Sequence, residues 1–307
     1  MTPAREGNPF RLTRRRFVNL GCLGGIVSGG AVALLECARL GGDSRSAVEL
    51  EGTSLASVHV ANFNRIEGGR AAELGGFVAR QMKIDLEDKA VCLQSSFLAG
   101  HRDHVVASYM EAIGSMANSF AQIGAKSVIL STNVARYQGR HSGFTVACCG
   151  EGHGDRVPIF CSTRQSGLLR VEIPPWVPAA DVFISEPLSE PVGLPLLAST
   201  NLLGLVAGHE HSPPNVGMLG GAIGKLIVDL VCTIKPRYCI NFMVGGKALD
   251  DSFTVVMGSE TSSVDAVMCL ERGVDPDLIA PLRDLPAWIG PTSPDRIRVR
   301  RHVPWTA

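Results

Sequence analysis

The segment Gly208-His209-Glu210-His211 contains residue types that bind transition metals. A flexible loop would let the imidazole rings of His209 and His211 converge on one ion. The spacing differs from the His-Glu-x-x-His motif, which excludes a zinc peptidase of that class. A solvated polar loop explains the same residues, and both interpretations stay open.

A second group of metal-binding types lies in Cys148-Cys149-Gly150-Glu151-Gly152-His153. Thiolate and imidazole suit soft metals, so Cys149 and His153 are candidate ligands of a metal or redox site. The alternative is a strand that ends before a glycine turn. The sequence has 9 cysteines but no Cys-x-x-Cys pair, so the motifs of zinc ribbons and iron–sulfur clusters are absent. The cofactor stays unknown, with a transition metal as the candidate.

Alternating strand and helix patterns must position these residues. Residues 58–61, 90–97 and 127–130 read as strands, and residues 69–82 and 103–123 read as helices between them. This order predicts parallel strands joined by helical crossovers. Shorter strand patterns fill residues 144–173. We therefore expect a three-layer α/β sandwich with a mainly parallel sheet and a β-rich insertion in the middle.

In an open α/β sheet, ligands bind in a crevice outside the carboxyl ends of the strands. We expect residues 94–104, 200–211 and 259–265 to meet at that edge. Asp265 lies in the first turn of a helix predicted over residues 262–272, where it could face a ligand. The alternative is an aspartate that the helix dipole favours, with Ser262 or Ser263 as N-cap.

An ordered series of short motifs spans about residues 55–300. Its members are Asn201-Leu202-Leu203-Gly204, Ile234-Lys235-Pro236, Gly245-Gly246, Val255-Val256-Met257-Gly258-Ser259 and Gly273-Val274-Asp275-Pro276. The series resembles the family called domain of unknown function 362. The resemblance implies an α/β domain over residues 55–307 without a settled activity. Many members carry ferredoxin-like iron–sulfur motifs, which this chain lacks.

The resemblance also implies ligand-binding candidates, and there this chain departs from its family. Gln94-Ser95-Ser96 stands where the family has Lys-Pro-Asn, and Thr200 replaces a lysine before Asn201. If those lysines bind an anion in relatives, each lost charge-assisted bond weakens binding by about 1.5–3 kcal/mol. The candidates are Ser95, Ser96, Thr200, Asn201 and Asp265, and the departures indicate a changed ligand or lost catalysis.

The N-terminus has the anatomy of a signal peptide. Arg14, Arg15 and Phe17 precede a glycine-rich apolar stretch, and they resemble a twin-arginine translocation signal. We predict a signal peptide over residues 1–40, a linker over residues 41–54, and recognition by the twin-arginine machinery. The mature protein would be periplasmic or on the cell surface, with no permanent membrane span once the signal is cleaved. An uncleaved signal would leave it membrane-anchored.

The charge of the chain argues against a protein that holds nucleic acid by long-range attraction and leaves a local basic patch open. The 29 basic residues balance 29 acidic ones, and without residues 1–40 the balance is 23 against 27. The leading hypothesis is an exported binding or accessory protein, with a small ligand or a redox partner. A metal- or cofactor-dependent oxidoreductase and a structural subunit of an exported complex are the alternatives.

Overall fold

The computed structural model describes residues 55–63, 70–97, 103–132, 139–141, 143–149, 155–163, 167–189, 195–206, 221–245 and 252–302. The predicted signal with Arg14, Arg15 and Phe17, the linker, His153, His209 and His211 lie outside these residues. No helix in the described part is long and apolar enough to cross a bilayer.

Eleven strands are present in the described ranges: β1 Ala56–Phe63, β2 Ala90–Phe97, β3 Ser127–Thr132, β4 Gly139–His141, β5 Phe144–Cys148, β6 Val157–Thr163, β7 Gly167–Ile173, β8 Val182–Ser189, β9 Tyr238–Val244, β10 Phe253–Gly258 and β11 Ile297–His302. The α-helices there are α1 Arg70–Met82, α2 Asp103–Gln122, α3 Trp176–Ala179, α4 Ala198–Asn201, α5 Gly221–Ile234, α6 Thr261–Glu271 and α7 Ala280–Asp284. A 3-10 helix, Leu202–Leu205, continues α4.

Nine strands form one sheet in the order β11-β1-β10-β9-β8-β2-β3-β5-β4. The pairs β1–β11, β9–β8, β8–β2, β2–β3 and β3–β5 are parallel. Only β10 and β4 run against the others in this sheet. Strands β6 and β7 form a separate antiparallel hairpin. The predicted mainly parallel α/β sheet with a β-rich middle is confirmed.

Helices cover both faces of the sheet. On one face, Leu93 of β2 packs in an apolar cluster with residues of α1 and α2; we call it the α2 face. On the other, Cys92 packs in a cluster with residues of α4, α5, α6 and the hairpin; we call it the α6 face. Successive residues of a strand point to opposite faces, so odd and even positions of β2 serve different layers.

Two helix predictions differ from the structure. The sequence pattern of residues 276–285 predicts one helix, but a 3-10 turn, Pro276–Leu278, precedes α7, and Ile279 between them is extended. A continuous helix would place Pro281 in its interior, where proline lacks a donor and clashes with the preceding turn. Helix α6 begins at Thr261 with Glu260 as N-cap. Asp265 therefore lies in the second turn, so the first-turn dipole explanation does not fit.

Strand β10 is antiparallel to its neighbours, so the segment that follows it and leads to Asp265 begins at the other edge of the sheet. Its last residue, Gly258, pairs with Cys239 near the amino end of β9. Residues 259–261 therefore start at the edge opposite the carboxyl ends of the parallel strands. The structure differs from our expectation on this point. Helix α6 then brings Asp265 back beneath the middle of the sheet, where it meets Asn241 of β9.

Candidate functional site

The connections that follow the neighbouring strands β2 and β8 lead to opposite faces of the sheet. After β2 the chain continues into α2 on one face, whereas after β8 it continues into α4 and α5 on the other. Because β2 and β8 are paired and parallel, their carboxyl ends form a topological switch point. Open α/β sheets bind ligands in the crevice at such points.

Polar side chains occupy the carboxyl halves of these two strands. They are Gln94, Ser95, Ser96, Ser185, Glu186 and Ser189, and the most exposed of them, Ser96, is 7% accessible. Central parallel strands are normally continuous apolar runs because helices cover both faces. Burying polar groups costs free energy unless hydrogen bonds replace their contacts with water. The sequence therefore retains polarity where packing alone would favour apolar residues.

On the α6 face, Asn201 fastens helix α4 to the sheet. Its Nδ2 donates to the carbonyl oxygen of Gln94 at 2.8 Å and to the Ser185 hydroxyl at 2.9 Å. The Ser185 hydroxyl donates in turn to the carbonyl oxygen of Ala198 at 2.8 Å. These bonds bring the predicted candidate Asn201 directly against the switch point.

Asp265 holds the amino end of α4. Its Oδ1 accepts from the amide of Ala198 at 2.9 Å and from Nδ2 of Asn241 at 2.8 Å, and its Oδ2 accepts from the amide of Ser199 at 3.0 Å. Burial raises the pKa of Asp265, while the side chains of Ser199 and Asn241 and the two backbone amides oppose that rise. Asp265 thus has a positioning role in the structure, and direct contact with a ligand stays a prediction.

Three buried amide oxygens around α4 have no hydrogen-bond partner among the described residues. They are Oε1 of Gln94, Oδ1 of Asn201 and Oδ1 of Asn241, and we call these side chains the amide cluster. The Asn201 and Asn241 amides cannot simply be rotated, because their nitrogens donate to a carbonyl and to a carboxyl oxygen. The cluster therefore presents unused acceptors.

A separate polar group lies on the α2 face. The Tyr109 hydroxyl of α2 is 2.5 Å from the carbonyl oxygen of Glu186 and 3.0 Å from the Ser95 hydroxyl. Neither carboxyl oxygen of Glu186 has a partner of good geometry among the described residues. Burial raises the pKa of Glu186 well above its usual value, and the nearby Ser95 side chain offsets only part of that rise. Ser95 thus serves the α2 face, away from the amide cluster.

Replacing Glu186 with glutamine should remove a pH-dependent loss of stability. A raised folded-state pKa means that the unfolded chain releases this proton first, so stability falls as pH rises from about 4.3 towards the folded-state pKa. The slope is about 1.4 kcal/mol per pH unit for one proton. We expect the unfolding free energy of E186Q, measured in urea, to rise relative to that of wild type as the pH increases from 5 to 8. A constant difference across that range would contradict this account.

The other predicted ligand candidates are buried near the same strand ends. Ser96 accepts from Nε2 of Gln94 at 3.2 Å, and a Cβ at Gly204 would lie 3.0 Å from its hydroxyl. The Thr200 hydroxyl bonds with the amide and carbonyl groups of Leu197 within its own turn. The structure brings Ser96, Thr200 and Asn201 together on the α6 face, and ligand contact by each stays a prediction.

Cys149 follows β5 and lies fully buried beside the amide cluster. Nε2 of Gln94 is 3.7 Å from its sulfur, and burial raises the pKa of the thiol to about 11. The thiol is therefore protonated at neutral pH, whereas metal binding and nucleophilic attack require the thiolate. Among the described residues, no three histidine, cysteine or acidic side chains are grouped to hold a metal ion.

Sequence reasoning missed several residues of this region, including Glu186, Tyr109 and Asn241. The available signal was a polar residue interrupting an apolar strand, as in Ile184-Ser185-Glu186 and Ile240-Asn241-Phe242. The apolar runs at residues 182–185 and 238–244 predict buried strands, so the polar positions in and next to them were candidates for specific hydrogen bonding.

Comparison with known proteins gives distant structural likenesses. No family model matches the sequence, and no curated protein matches it. A Thermotoga maritima protein solved by a structural genomics consortium is 10% identical, with a TM-score of 0.41, 68% of this chain covered and 61% of that chain. The lactate racemase apoprotein from Thermoanaerobacterium thermosaccharolyticum is 11% identical, with a TM-score of 0.30 and coverages of 68% and 55%.

This chain spans less than two thirds of the length of either structure. Likeness of this extent carries no argument about activity or ligand. What the chain can bind is therefore inferred from its own residues at the ends of β2 and β8.

Proposed function

We propose that this protein binds a small polar molecule at the carboxyl ends of the paired strands β2 and β8, in a binding or accessory role. The observation that carries the proposal is the amide cluster, in which three buried amide oxygens find no partner in the described part of the chain, beside a topological switch point. Export by the twin-arginine pathway and membership of domain of unknown function 362 belong to the same proposal, and they depend on the sequence motifs alone.

Each buried amide oxygen that lacks a hydrogen-bond donor lowers the stability of the folded protein. A buried polar group without a partner destabilises a fold by about 1–3 kcal/mol. Natural proteins leave few such groups, and those that remain often serve a function. A ligand that donates hydrogen bonds to Gln94, Asn201 and Asn241 would recover that free energy as affinity. The bond from Asn241 to Asp265 and the bond from Asn201 to the Gln94 carbonyl oxygen hold two of these amides in place before a ligand arrives.

Replacing Gln94 with methionine should abolish ligand binding while the protein still folds. Methionine has a similar length but offers no amide, and the Gln94 side chain makes only long contacts, at 3.2 and 3.7 Å. The measurement is mass spectrometry of the small molecules that the purified protein releases on denaturation. We expect wild type to release one molecule per chain and Q94M to release none.

The matched control is Gln122→Met at the exposed end of α2. Q122M should release the same molecule in the same amount as wild type. Two results together would contradict the proposed function. The first is that wild type releases no molecule. The second is that five added probes (sorbitol, glucose, ethanolamine, L-lactate and inorganic phosphate) raise the melting temperature of wild type no more than that of Q94M.

A metal- or cofactor-dependent oxidoreductase is the second candidate. The observation that favours it is the place of Cys149 against Gln94 at the same site, where a bound metal would have to displace the proton that burial keeps on the thiol. Metal analysis and visible absorption of the purified protein separate the two candidates. Stoichiometric metal that is lost when His209 and His211 are both changed to alanine would favour the oxidoreductase. A colourless, metal-free wild type that matches that variant would favour the binding protein.

A further inference from the structure

We infer that the ligand of this site is an uncharged molecule bearing several hydroxyl groups, of the polyol or simple sugar class. The inference deepens the proposed function and rests on it. It follows from the acceptor oxygens and hydroxyl groups at the amide cluster, and from how the charged side chains of the described residues nearby are already bonded.

Anions are disfavoured because no cationic side chain of the described residues bonds to the amide cluster. In the described part of the chain, no lysine, arginine or histidine donates to Gln94, Asn201, Asn241 or Asp265. Arg156 reaches this neighbourhood, but its guanidinium donates to three backbone carbonyl oxygens. Amide oxygens would repel the oxygens of a carboxylate or phosphate.

Cations are disfavoured because Asp265, the carboxylate bonded to the amide cluster among the described residues, is already engaged. Both Asp265 oxygens accept bonds from α4, and Oδ1 also accepts from Asn241. Glu186 lies on the α2 face, so the sheet separates it from the amide cluster. An ammonium group moved out of water would find neutral acceptors but no free carboxylate bonded to the cluster among the described residues, and burying it there costs much more than burying a hydroxyl group.

Hydroxyl groups match the remaining chemistry in both directions. Each can donate to an amide oxygen and also accept from a serine hydroxyl. The α6 face supplies both kinds of group. The amide cluster provides acceptors, and the buried hydroxyls of Ser131 and Ser199 lie near the Cys149 thiol and the Asp265 carboxyl group without a bond of good geometry to any described residue. Ser131 pairs in register with Gln94 on the neighbouring strand β3, and Ser199 belongs to the same turn of α4 as Asn201.

The test is calorimetric titration of the purified full chain with five probes: sorbitol, glucose, ethanolamine, L-lactate and inorganic phosphate. We expect heat of binding from sorbitol or glucose alone. We also expect Q94M to bind that probe at least about tenfold more weakly, the effect of losing about 1.4 kcal/mol, while Q122M binds it like wild type. Gln94→Glu provides a second variant: a buried carboxyl group takes up a proton and keeps an acceptor oxygen, so Q94E should retain most of the affinity.

The outcomes separate this inference from the proposed function. Lactate, phosphate or ethanolamine binding that Q94M abolishes would overturn the ligand class and leave the proposed site standing. The same applies if the molecule released on denaturation is charged. A wild-type protein that releases no molecule and binds none of the five probes would overturn both. Polyol binding that is equal in Q94M, Q94E and Q122M would place the ligand elsewhere and also overturn both.

Discussion

Asp265→Ala is expected to lower the unfolding free energy by about 3–5 kcal/mol, the range for removing one partner from a buried charged hydrogen-bond network. The substitution leaves the amides of Ala198 and Ser199 and the Nδ2 group of Asn241 without an acceptor in a fully buried place. Urea unfolding at pH 7, followed by circular dichroism, measures the loss. Because α4 carries Asn201, D265A should also lose the ligand that wild type releases on denaturation.

The matched control for this prediction is Asp275→Ala. Asp275 is exposed and caps a 3-10 turn through one bond of 3.0 Å, from the amide of Asp277. Loss of such a cap costs about 1 kcal/mol. If D265A loses no more stability than D275A, then the three bonds do not hold α4, and the positioning role assigned to Asp265 is wrong.

Gly75→Ala is expected to destabilise the fold by about 3 kcal/mol or more, at the upper end of the range for overpacking. Gly75 lies in α1 where that helix crosses α2. A Cβ there would be 2.0 Å from the carbonyl oxygen of Ala112 and 2.9 Å from the amide nitrogen of Met116. Both atoms belong to backbone, so the two helices would have to separate. The melting temperature and the urea midpoint measure the effect.

The neighbouring Gly76 provides the control. A Cβ at Gly76 would come no closer than 3.3 Å to Nη1 of Arg80, the far end of a flexible side chain. Gly76→Ala should therefore stabilise α1 by up to about 1 kcal/mol, the difference in helix propensity. Equal effects of G75A and G76A would show that close contact between α1 and α2 does not govern this packing.

The helical layers on the two faces of the sheet are held in place by different interactions. The α1–α2 layer is held by apolar packing and close helix approach, as Gly75 illustrates. The α4 layer is held by hydrogen bonds that converge on Asp265, Asn201 and Ser185. Buried polar networks specify one arrangement because any other leaves charges and amides unpaired. We expect this second layer to carry the specificity for the ligand.

The sequence by itself determined the class of fold and most of its elements. Strand β2, predicted at residues 90–97, and helix α2, predicted at residues 103–123, match the structure closely. Apolar periodicity is a local property, since the spacing of buried side chains differs between helices and strands. The polarity of Gln94-Ser95-Ser96 at the end of a buried strand was likewise visible in the sequence.

Only the tertiary structure decided which of these polar residues meet. Strand β2 neighbours β8, about 90 residues away in the chain, and β10 runs antiparallel to β9. Strand order and direction depend on hydrogen bonds between distant segments, which leave no periodic pattern in either segment. Asp265 could therefore be chosen from the sequence, but its bonds to Asn241 and to the start of α4 arise because the sheet brings three separate segments together.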